Sequence, residues 1–253
     1  MSAWGDMMRR SSGDKIRTED AWGNLTDPNK LLEDREIAFI TKAALAEFEF
    51  GGFSSLDEML CQLGVMLEIS PDTPSRAVPA DVSEWDLYWK NELKRLEAMG
   101  IKDGPLYNEA KNEAEKASAE LTDWLEMKLL GRYDRFSKKI LLFPNNMEKG
   151  PVREKFLATT FVHEAMHAYF DRHRHELFPY VATIEEPMAE FGMLLFFKEA
   201  KEKESFSDVF SWAKKEVGNK KTCYRYGKIL MDSYEGGDTK IREDLEAYKR
   251  KIF

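Results

Sequence analysis

The stretch Leu157-Ala158-Thr159-Thr160-Phe161-Val162-His163-Glu164-Ala165-Met166-His167-Ala168-Tyr169 governs how the rest of the chain is read. It lies in a stretch that reads as a strong helix, opened by Pro151 and reaching about Arg172. Residues i and i+4 share one helix face, and His163 and His167 stand in that relation. Two imidazoles so placed can converge on one tetrahedral metal ion at about 2.0–2.1 Å. Glu164, one step round the helix, is placed to reach a metal-activated water, where a general base is needed. All four histidines of the chain lie between positions 163 and 175. With so few histidines, a chance H-E-x-x-H is expected at roughly the one-in-a-hundred level. The apolar residues around the pair are those of a buried helix.

Composition narrows the alternatives. A chain of 253 residues, 43% hydrophobic and 33% charged, can bury one large core, with or without a helical extension. A net charge of −8 offers no basic surface on which nucleic acid could displace counterions. The apolar run Phe191 to Phe197 is too short to cross a bilayer, so no membrane partner is expected. The first residues, MSAWGDMMRRSSGDK, lack the apolar segment of a signal peptide. Two isolated cysteines, Cys61 and Cys223, cannot form a disulfide framework. Together these features lead to an expectation of a cytoplasmic location.

Residues 1–27 are polar, carry two Ala-Trp-Gly pieces and read as a tail able to dock on its own chain through its tryptophans. Helices are expected after Asp27-Pro28, with Ile37, Ile40, Ala44 and Phe48 on one face, and after a Ser55–Glu58 capping box, with Met59, Leu60, Leu63 and Met66. Beyond a proline-bearing loop, Pro71 to Pro79, Ser83 is expected to open a helix that Gly100 ends. Pro105 opens a longer one, with Ala110, Ala114, Ala117, Leu121 and Trp124 on one face, and Gly131 is expected to stop it. Ile140 to Phe143, closed by Pro144, reads as the second strand of a small hairpin over 131–143. A helix from about Thr183 to Lys201 and shorter ones near 204–217, 222–233 and 239–250 complete the chain.

From about Arg132 to Phe197 the order strand, H-E-x-x-H helix, glutamate-bearing helix resembles a zincin metallopeptidase. The resemblance covers about a quarter of the chain. It implies an α+β, predominantly α, zincin-like domain with a small β-sheet, here with an N-terminal helical extension. It also implies one Zn²⁺ per chain, held by three protein ligands with one position open. His163 and His167 are two of the ligands. Glu186 is the leading third: eighteen residues separate it from His167, and Ala189 follows three residues on, a pattern similar to the gluzincin peptidases. Where those enzymes often carry Asn-Glu-Gly, this chain has Glu185-Glu186-Pro187, which leaves Glu185 as a substitute. Thr183 to Glu186 also fits a capping box, which would spend Glu186 on a backbone N–H. His173 completes the metzincin spacing, with Phe170 at the position where that group has glycine. Glu190, one turn after Glu186, is a candidate acceptor for a ligand histidine N–H.

The resemblance implies a zinc-dependent peptidase that hydrolyses peptide bonds through a metal-activated water, with Glu164 as catalytic base and a peptide or protein as substrate. Its catalytic domain would span 105–253, preceded by a helical region over 28–104. Strand Ile140 to Phe143 would line the cleft, and Tyr224, Tyr226 and Tyr234 are the tyrosines available to steady an oxyanion. The alternative is a zincin-like regulatory or partner-binding protein with little proteolytic activity.

Overall fold

The computed structural model describes residues 31–48, 52–71, 78–177, 182–200, 203–220 and 223–237, with backbone alone at 173–177, 182–184 and 203–205. The tail 1–27, the Asp27-Pro28 helix start and the helix near 239–250 lie outside the described residues. The described chain is predominantly helical with one three-stranded sheet.

Two helices form its centre, α5 (Arg153–Leu177) and α6 (Ala182–Glu199). Residues 161–169 of α5 and 189–197 of α6 are buried without a break. A helix enclosed all round has no polar stripe, which is why neither shows a one-sided pattern. Gly192 lets the pair close: a Cβ there would stand 2.9 Å from the Met166 side chain. Helices α1 (Asp34–Leu45) and α2 (Leu56–Leu63) pack on α5, and α7 (Lys203–Asn219) and α8 (Arg225–Glu235) pack on α6. A buried pair, Glu36 of α1 and Arg153 at the start of α5 (3.6 Å), ties the early chain to the central helix.

Strands β1 (Met66–Ile69), β2 (Gly131–Asp134) and β3 (Lys139–Leu142) are ordered β1-β3-β2. Strand β3 is central, parallel to β1 and antiparallel to β2. Met66 therefore belongs to a strand and not to the preceding helix. Gly64 adopts φ 68° and caps α2, and Val65 N–H bonds back to the Leu60 carbonyl, so the chain leaves the helix two residues before Met66. At the other end of α2 the Ser55 hydroxyl accepts from the Glu58 N–H, as a cap should. Glu58 itself reaches Ser54 instead of closing the capping box on Ser55.

Helices α3 (Ala80–Ala98) and α4 (Pro105–Glu126) pair along a seam of small residues, with Ala110, Ala114 and Ala117 buried. Helix α3 starts at Ala80, so Ser83 lies one turn inside it, its hydroxyl donating to the Pro79 carbonyl. Helix α4 ends at Glu126, and Gly131 is a strand residue, not a helix stop. Among the described residues no helix is long and apolar enough to cross a membrane.

Candidate metal centre

Helix α5 presents His163 and His167 one turn apart, and α6 brings Glu186 against both. The three atoms that meet are His163 Nε2, His167 Nε2 and Glu186 Oε2, at 3.0, 3.1 and 3.2 Å from one another. Donors about 2.0–2.1 Å from a tetrahedral ion stand about 3.3 Å apart. The triangle fits three ligands of one small divalent cation. All three side chains are buried. Two imidazole nitrogens 3.0 Å apart can share only one proton, which leaves lone pairs converging on a common point.

The charge balance points the same way. Glu164, Glu185, Glu186 and Glu190 gather around two imidazoles and one lysine, and buried carboxylates require a cation or a proton. Burial opposes the charge on His167, but Glu186, Glu185 and Glu164 outweigh it and hold the imidazole well above its ordinary value. Burial likewise works against ionised Glu186, and His167 and His163 overcome it, so this carboxyl lies well below the usual range. Without metal, a proton on His167 does part of the work of a cation.

Glu164 points to the strand side. Its Oε2 accepts from the Tyr133 N–H at 2.7 Å, so β2 fixes one oxygen and leaves the other to exchange a proton. Burial pushes its carboxyl upward, with His163 and His167 partly offsetting the shift. This approach of strand to helix depends on Gly131, where a Cβ would meet Thr160 Cγ2 at 2.4 Å and Glu164 Cγ at 3.2 Å. The strand beside the centre is β2. Strand β3, expected to line the cleft, is paired on both edges and buried at Ile140 and Leu142.

The remaining carboxylates divide their tasks. Glu185 meets His167 Nδ1 at 3.0 Å, so it orients this imidazole from behind and leaves Nε2 free for a ligand. Glu186 commits its Oε2 to the two histidines, and the side chain of Thr183, at the start of the expected cap, lies outside the described residues. Glu190 stands 3.9 Å from His163 Nδ1, beyond hydrogen-bond reach, and binds Lys220 instead. The Lys220 ammonium also lies 4.3 Å from the centre of the Tyr224 ring, whose own centroid is 5.9 Å from that of His163. Of the three tyrosines considered, Tyr224 lines the cleft. Tyr226 is exposed, and Tyr234 packs on Phe191. Helix α5 continues to Leu177, so the backbone does not turn at Phe170 as the metzincin pattern needs. The side chain of His173 lies outside the described residues.

Two cavities flank Glu164 and share Leu129, Gly131 and Tyr224. One, about 220 Å³, is walled by residues of α5, α6, α7 and the segment 127–130. The other, about 350 Å³, lies along β2 and is lined by Arg132, Asp134, Arg135 and Asp171. Sequence reasoning missed Gly131, Tyr133, Glu185 as an orienting group, and Lys220. The Tyr133 contact is made by a backbone N–H, which has no residue signature.

Comparison with protein-family models, with curated proteins and with solved structures finds no match for this chain.

Proposed function

We propose that the protein is a zincin-like metallopeptidase that holds one Zn²⁺ on His163, His167 and Glu186 and hydrolyses peptide bonds with Glu164 as base. The observation that carries this reading is the triangle of ligand atoms with a buried, separately anchored carboxylate next to it. A divalent ion there would supply Lewis acidity, polarising a carbonyl and acidifying a water. Glu164 accepts the proton of the attacking water on its unanchored oxygen and returns it to the leaving amine. The upward shift of its carboxyl by burial brings that exchange closer to neutral pH. Glu185 keeps His167 in the tautomer that offers Nε2, and Tyr224, the one of the three tyrosines that lines the cleft, is the candidate to steady a developing oxyanion.

Metal content by elemental mass spectrometry tests the reading, with peptide-library cleavage alongside. Wild type should carry about one zinc per chain, lost in His163→Ala and Glu186→Ala, whereas Glu164→Gln should keep zinc and lose cleavage. Absence of metal after zinc is supplied would refute the centre. Bound zinc without cleavage of any peptide would favour the regulatory, partner-binding alternative.

A further inference from the structure

We propose that Glu120, on helix α4, is a positioning residue that holds Tyr224 in place beside the metal centre. The inference rests on the peptidase reading, in which Tyr224 is the candidate to steady the oxyanion, and deepens it by tying the α3–α4 pair to that step.

The α3–α4 pair meets the centre through a small core of its own, where Val82, Trp124, Cys223 and Tyr224 are buried together. Glu120 Oε1 crosses that junction. It accepts from the Cys223 backbone N–H at 2.8 Å, a partner 103 positions away, and from Trp124 Nε1 at 3.3 Å. Cys223 is 2% exposed, so this bond replaces hydration that folding takes from its N–H. Burial, with Glu120 adding to it, pushes the Cys223 thiol up, so the side chain beside the tyrosine packs as a neutral group.

Tyr224 follows directly and occupies the N-cap position of α8, so the bond to Cys223 sets where that helix begins. Its ring centroid lies 5.5 Å from that of Trp124 and 5.9 Å from that of His163. The tyrosine thus touches α4 through one ring and a candidate zinc ligand through the other. Two further contacts hold the start of α8 on α6. Lys220 stands 4.3 Å from the centre of the Tyr224 ring and binds Glu190. At Gly227 a Cβ would stand 2.5 Å from Glu190 Cβ and 3.0 Å from the Pro187 carbonyl oxygen, so the two helices lie in close contact. Glu120 supplies the hold from α4. It lines neither cavity, so it acts through Tyr224 and not on a substrate. A hydroxyl that must meet an oxyanion tolerates little displacement, since about 1 Å of misplacement can cost about a hundredfold in rate.

The test uses zinc-loaded full-length protein and a peptide it cleaves. Glu120→Ala should lower kcat about tenfold to a hundredfold with KM within about twofold, because an oxyanion contact is made only in the transition state. Glu120→Gln, which keeps an acceptor oxygen at the same reach, should retain wild-type turnover. In a Tyr224→Phe background, itself slower by about 10²–10³, Glu120→Ala should add nothing. A merely structural role would multiply the two losses. Unchanged kcat in Glu120→Ala, or a full further loss in the double variant, would overturn the proposal. Glu120→Asp, which draws the carboxylate back by one methylene, takes the place of Glu120→Ala if that variant does not fold. A second readout is independent of cleavage: fluorine NMR of protein labelled with fluorotyrosine, the Tyr224 line being the one lost in Tyr224→Phe. That line should shift or broaden in Glu120→Ala and stay in place in Glu120→Gln. If zinc-loaded wild type cleaves nothing, the peptidase reading fails and this line alone decides whether Glu120 places Tyr224. A line unmoved in Glu120→Ala removes the proposal.

Discussion

Two helix pairs in this chain solve the same packing problem with opposite chemistry. Between α3 and α4 the seam is built from Ala110, Ala114 and Ala117, and its one buried carboxylate, Asp86, is met by Ser118 at 2.6 Å and Lys90 at 2.9 Å. Charged pairs such as Glu113–Lys116 face outward. Between α5 and α6 the polar groups point inward, and the side chains of His163, His167 and Glu186 converge on one another. The first pair satisfies every demand of its buried carboxylate locally. The second gathers several carboxylates around two imidazoles, a demand that a proton on His167 meets only in part, and that is what separates a candidate site from a scaffold.

The largest expected effect is catalytic. Glu164→Gln should lower peptidase turnover by about 10²–10⁴ while zinc content stays at the wild-type level, read by stopped assays beside elemental analysis. Next comes the buried tie beneath the site. Arg153→Met leaves Glu36 uncompensated and should cost about 3–5 kcal/mol in urea unfolding, and a Glu36→Gln/Arg153→Met double variant should recover much of it. Gly131→Val forces a Cβ into Thr160 and Glu164, so about 1–3 kcal/mol of destabilisation should accompany a loss of turnover. At the scaffold pair, Ser118→Ala should cost only about 1 kcal/mol and leave both zinc content and cleavage untouched.

The two pairs should also respond to pH with opposite sign. His167 has its value raised, so in zinc-free protein its contribution is complete below about pH 6.5 and is lost as pH climbs through the folded value. Asp86 is lowered: burial opposes its charge, and Ser118 and Lys90 prevail. Its contribution is complete above about pH 3.9 and is lost as pH falls through the folded value. Thermal melts across pH, with and without zinc, check this. Zinc should remove the alkaline loss and leave the acid one, because the metal takes the place of the His167 proton.

Legibility in the sequence followed the same division. Helix α4 shows its buried face because the face is one-sided: Ala110, Ala114, Ala117 and Trp124 fall where periodicity puts them. Helices α5 and α6 were readable by their contents instead, since H-E-x-x-H and Glu186 name chemistry where the apolar pattern carries no direction. Strand β1 was hidden because Met66 continues the spacing of α2, although Gly64 marks the stop. The divided roles of Glu185, Glu186 and Glu190 could not be separated along one helix, because they depend on what faces each: His167, both histidines, and Lys220. The cleft wall from α7 is a tertiary product, and Trp212 has no local pattern that announces it.

The parallel pairing of β1 with β3 has a consequence for how the molecule is made. Met66 meets Lys139, 73 positions later (139 − 66), with both helices of the scaffold pair and strand β2 between them. Closing a loop of that length precedes any reward from the sheet, which makes assembly of the floor under α5 a slow, non-local event. Until β1 arrives, β3 offers an open edge of Ile140, Leu141 and Leu142 to any other strand. A chain shortened to begin at residue 105 would carry His163, His167 and Glu186 and still keep that edge bare, so it should emerge as aggregate where the longer chain emerges as monodisperse protein.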